Sequence, residues 1–66
     1  MINGLEAYYD QGQRVARASK NGDSTGWKFE RDYYTRMLNL EANEDKRMVA
    51  DVYTAGYHSV TGGGRS

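Results

Sequence analysis

The chain has 66 residues, with nine Lys or Arg balanced by nine Asp or Glu, which excludes a multi-domain reading and excludes disorder driven by net charge. Only nine residues are Leu, Ile, Val or Phe, so the aliphatic core is thin and the six Tyr, Trp27 and Phe29 must supply bulk. No stretch approaches the roughly 20 apolar residues of a membrane span, the first ten residues do not read as an export signal, and the absence of Cys rules out a disulfide framework, a thiolate nucleophile and a Cys-ligated metal.

Proline is also absent, and spacings of three and four recur where strand alternation does not. These features predict a soluble, cytoplasmic, all-α chain: a small three-helix bundle with helices at about 4–20, 24–40 and 44–59. One domain spans 1–60, and 61–66 form a flexible Gly-rich tail.

Asn3 and Glu6 have the spacing of a capping box that opens the first helix. Along it Leu5, Tyr8, Gly12, Val15 and Ser19 share one stripe, widened by Tyr9 and Ala16. Asn21-Gly22 supplies a left-handed stop. In the second helix Trp27, Tyr34 and Leu38 fall in a narrow arc, flanked by Phe29, Tyr33, Met37 and Leu40. This predicts the main core helix with Trp27 inside, so that losing the ring would cost about 3–5 kcal/mol. Asn43 is a good N-cap for the third helix, with Glu44 and Asp45 in its first turn. Its predicted stripe is Met48, Val49, Val52, Gly56 and Val60, with Tyr53 at the border and Tyr57 beyond it. Tyr9-Asp10-Gln11-Gly12 and Tyr53-Thr54-Ala55-Gly56 echo each other. A helical Gly costs about 1 kcal/mol unless a neighbour packs on its bare backbone, so close helix contact is expected at Gly12 and Gly56.

Little in the chain suits catalysis. His58 lies seven residues from Asp51, about 10.5 Å along a helix and too far for a dyad. Glu30 and Asp32 point to different faces, which does not suit a glycosidase pair. Glu41, Glu44 and Asp45 compensate a helix dipole and lack the hinge of a calcium loop. Gly62-Gly63-Gly64 precedes no helix and is not a phosphate loop. The expectation is therefore no enzyme, no catalytic residue, no metal and no cofactor.

Partner binding fits better. Neighbouring Tyr8-Tyr9 and Tyr33-Tyr34 cannot both face inward from one helix, so some rings reach the surface. Tyr and Arg are favoured interface anchors. Tyr9, Tyr33, Tyr57, Arg14, Arg36 and Arg47 are the candidate contacts for a larger protein partner. Such a small chain acts more readily by steric occlusion than by chemistry. This suggests a phage or mobile-element accessory protein that inhibits a host protein or nucleoprotein complex.

Two alternatives remain. The segment 13–36 is basic, and its helix, turn and helix resemble in outline a helix-turn-helix module. Arg14, Arg17, Lys20, Lys28, Arg31 and Arg36 would then contact nucleic acid. Self-assembly into a homo-oligomer would bury the surplus aromatic area. Membrane binding is not expected, because the helices mix charge signs.

Overall fold

The computed structural model describes residues 4–62 and shows three helices: α1 (Leu5–Asn21), α2 (Gly26–Leu38) and α3 (Asn43–Thr61), with no strand among the described residues. The small all-α bundle expected from the sequence is the fold observed. Asn3, half of the expected capping box, and residues 63–66 of the tail lie outside the described residues. Gly4, at φ 82°, precedes α1. Gly62 takes up φ 69° at the end of α3, so that helix runs two residues past the predicted end and takes in Thr61.

Gly22 ends α1 where the sequence places the stop. It adopts φ 69°, its N–H donates to the Ser19 carbonyl at 3.3 Å, and the Asp23 N–H reaches back to the Ala18 carbonyl at 2.8 Å. This is a Schellman closure, which satisfies carbonyls left free by the last turn. The Asp23 carboxylate then accepts from the Thr25 N–H at 2.9 Å and the Thr25 hydroxyl at 2.8 Å. These two bonds, the backbone one foremost, hold the Asp23 carboxyl below the usual carboxylate range. They occupy Thr25 in a turn, and α2 begins at Gly26, later than the predicted 24. At the next junction Ala42 is the N-cap, Asn43 is already helical, and Glu44 and Asp45 lie in the first turn.

Two glycines set the main contact. A Cβ added at Gly12 would collide with the Tyr53 carbonyl oxygen and stand 2.8 Å from the Tyr57 nitrogen. One added at Gly56 would collide with the Tyr9 carbonyl oxygen and approach its carbon at 2.9 Å. The contact is reciprocal, since each Gly rests on the carbonyl of the Tyr three residues before the opposing Gly. The faint echo between the two segments is thus the crossing point of α1 and α3. Farther along, the Gln13 amide donates to the Ser59 hydroxyl at 3.1 Å. α2 returns along α1, with Gly26 on Ala18 and Tyr33 on Tyr8. The four residues that link it to α3 reach at most about 18 Å, so α3 starts beside the start of α1 and the two run parallel.

α2 runs antiparallel to α1. A Cβ at Gly26 would lie 2.8 Å from that of Ala18, the Gln11 amide donates to Asp32 at 2.5 Å, and the Tyr8 ring meets Tyr33 edge-on at 6.4 Å. The core holds Tyr8, Val15, Tyr33, Val49 and Tyr53, with Leu5, Phe29, Met37, Leu40, Val52 and Tyr57 packed around it. At its centre the Tyr33 and Tyr53 rings stack at 3.7 Å and 9°, and the Tyr33 hydroxyl donates to the Met37 sulfur at 3.4 Å.

Two expected faces are corrected. α2 is not the main core helix, because it fully buries only Gly26 and Tyr33, and Trp27 is 54% exposed. On α3 the buried line is Val49, Tyr53 and Gly56, leaving Met48 at the surface. In both helices apolar residues cover about half the circumference, so periodicity alone does not select the inward half. The small residue does: Gly26 and Gly56 turn toward the neighbour that needs bare backbone.

Candidate functional site

Large apolar side chains left at the surface collect on the outer ridge of α2. Trp27, Arg31, Tyr34 and Leu38 follow one another at spacings of four, three and four, which keeps them within about 60° of helix circumference. Their arc is centred about 110° from the Gly26–Tyr33–Met37 line that faces the core. Tyr34 is 49% exposed and Leu38 66%. Isolated surface apolar residues are unremarkable, but three on one ridge of a 13-residue helix form a patch.

Cations frame the patch at its N-terminal end. The Arg31 guanidinium lies 5.0 Å from the Trp27 ring centroid and the Lys28 ammonium 5.9 Å from it. Neither forms an ion pair among the described residues. Beside Trp27, toward the bundle, a shallow cleft of about 240 Å³ is lined by Val15, Ser19, Asp23, Gly26, Glu30 and Tyr57. Arg36 is directed elsewhere, with its Nε 3.1 Å from the Asp32 carboxylate that also receives Gln11.

The partner-binding candidates do not form one face. Tyr9 is exposed on α1, Arg47 is exposed on α3, and Tyr57 is half-buried against the core. The Arg14 Nε is tied to Asp10 at 2.6 Å, and its guanidinium lies 5.7 Å from the Phe29 ring centroid. Tyr33 is a correction: it is 3% exposed and stacked at the core centre, leaving no surface for a partner. Its neighbour Tyr34 is the ring that faces outward. The expectation that one of the pair is exposed holds with the two residues exchanged.

The basic residues are also divided. Arg14 and Arg17 line a depression of about 330 Å³ with Ala18, Asn21, Asp23, Thr25 and Phe29. Lys28 and Arg31 stand by Trp27, across α2 from Phe29. Lys20 is exposed near the end of α1.

Sequence reasoning grouped Trp27, Tyr34 and Leu38 correctly but assigned the group to the interior. The overlooked signal was Gly26, since a helix approaches its neighbour along its small residues. Among the described residues no three acidic or histidine side chains gather as a metal site, and no helix is long and apolar enough to cross a membrane. No family model, curated protein or solved structure matches this chain.

Proposed function

We propose that the chain is a protein-interaction module that acts by occupying the surface of a larger protein through the outer ridge of α2. The supporting observation is the joint exposure of Trp27, Tyr34 and Leu38 on one ridge. Covering apolar area yields about 25 cal/mol per Å², and Trp and Tyr anchors concentrate binding energy at the centre of interfaces. Ridges of this kind dock as a helix laid in an apolar groove. Lys28 and Arg31 beside Trp27 favour a groove with an acidic rim at that end. The action is occlusion of the covered surface, as expected of an inhibitor, with no chemical step assigned to the chain.

The experiment is affinity capture from the source cells with the tagged full chain and two variants, Trp27→Ala and Leu38→Asp. Both side chains are more than half exposed, so helical circular dichroism should be unchanged. The expected result is one captured protein whose recovery falls at least about tenfold with either variant. Equal recovery with both variants overturns the assignment of the ridge. Binding to DNA or RNA that falls steeply with salt, and is lost with Arg14→Ala and Arg17→Ala, overturns the interaction reading in favour of nucleic-acid binding.

A further inference from the structure

The outer ridge of α2 reads the same from either end. Trp27, Arg31, Tyr34 and Leu38 are placed symmetrically about the midpoint between Asp32 and Tyr33. A two-fold axis through that midpoint, perpendicular to the helix, lays Trp27 of one copy on Leu38 of the other and Arg31 on Tyr34. We propose that the chain pairs with a second copy through this ridge, α2 antiparallel to α2, and that self-pairing covers the surface until a partner displaces it. The proposal rests on the reading of the ridge as an interaction surface, and it adds how that surface is regulated.

Charge favours the antiparallel arrangement. The first turn of α2 has no acidic residue, and Lys28 and Arg31 follow on its outer side. Beyond its other end come exposed Glu41 and Glu44. With Arg36 of the last turn tied to Asp32, antiparallel pairing sets Lys28 and Arg31 of each copy toward Glu41 and Glu44 of the other, twice per dimer, and opposes the helix dipoles. Parallel pairing would set like against like. The Arg31 guanidinium, already beside the Trp27 ring, gains a second aromatic face in the partner's Tyr34. The pairing closes on itself, which limits assembly to two copies. A helix of 13 residues is about 20 Å long, so the pair buries less than the ~1,200 Å² of a stable interface and remains displaceable.

The test is sedimentation equilibrium of the full chain from about 10 μM to about 1 mM, a range suited to weak pairing. The mass should rise from 7.5 kDa toward twice that value, and the emission of Trp27, the only Trp, should shift to the blue over the same range. Leu38→Asp and Arg31→Glu, both at exposed positions, should each move the midpoint at least about tenfold higher. A mass that stays at 7.5 kDa overturns the proposal, as does association unaffected by both variants. A monomer whose partner capture still depends on Leu38 ends self-pairing alone. A dimer that needs Leu38, with capture indifferent to it, ends only the larger-partner reading.

Discussion

The Tyr53 ring is sandwiched into the core, yet its hydroxyl is buried with no hydrogen-bond partner among the described residues. Burial pushes this phenol well above the ordinary value of 10.0, and the nearby Glu30 charge adds to the shift. A phenol whose folded pKa is raised keeps its proton in the native state after the unfolded chain has released it. Its contribution is therefore complete below about pH 10 and is lost as pH climbs from there toward the folded value. Tyr53→Phe removes both the orphan hydroxyl and the titration. Urea unfolding near neutral pH should show the variant unchanged or up to about 1–2 kcal/mol more stable. The variant should also lose less stability than the parent above about pH 10. A loss of more than about 1 kcal/mol at neutral pH would show that the hydroxyl has a partner after all. Single side chains are where the sequence was hardest to read. Tyr33 and Tyr34 have the same chemistry and adjacent positions, and only Gly26, seven residues before Tyr33 and on the same helix line, says which ring stacks on Tyr53 and which meets solvent.

At the scale of the helix pair, the sequence was more legible, because a Gly within a helix is costly unless something requires it. The Tyr-x-x-Gly echo marks both glycines of the α1–α3 crossing. Ala at an exposed helical Gly gains about 1 kcal/mol. At Gly12 or Gly56 the new methyl group meets backbone carbonyl, which cannot rotate away as a side chain could. Each substitution should therefore destabilise by about 1–3 kcal/mol, measured by denaturant midpoint, in spite of the better propensity. Both sites lie at one crossing, so the helices need separate only once and the double variant should cost less than the sum. Additive losses would mean that the two contacts yield independently. For α2 the same rule applies: Gly26 marks the side that approaches Ala18, whereas the heavier Trp27–Tyr34–Leu38 arc, which periodicity alone would turn inward, faces solvent.

Taken whole, the molecule is a close parallel pair, α1 and α3, with α2 laid across it through Gly26, Phe29, Tyr33 and Met37. This division changes what Trp27 means. With the ring 54% exposed, Trp27→Ala should cost less than about 1 kcal/mol, in place of the 3–5 expected of a core ring. Stability should also be uneven along the chain. Amides near Gly12, Val49 and Gly56 lie where the close pair excludes water, and they should exchange only through global unfolding. Those of α2 have one helix face on the core and a broad face in solvent, so they should open at lower free energy while the α1–α3 pair persists. Hydrogen exchange followed by mass spectrometry on dilute protein checks this, and repeating it at high concentration separates two causes of protection. Self-pairing through the outer ridge raises protection in α2 and leaves α1 and α3 unchanged, since a ligand of the folded helix suppresses its opening by mass action. Equal protection of all three helices in dilute solution would instead mean that the bundle opens as one unit, with the exposed ridge no less anchored than the crossing.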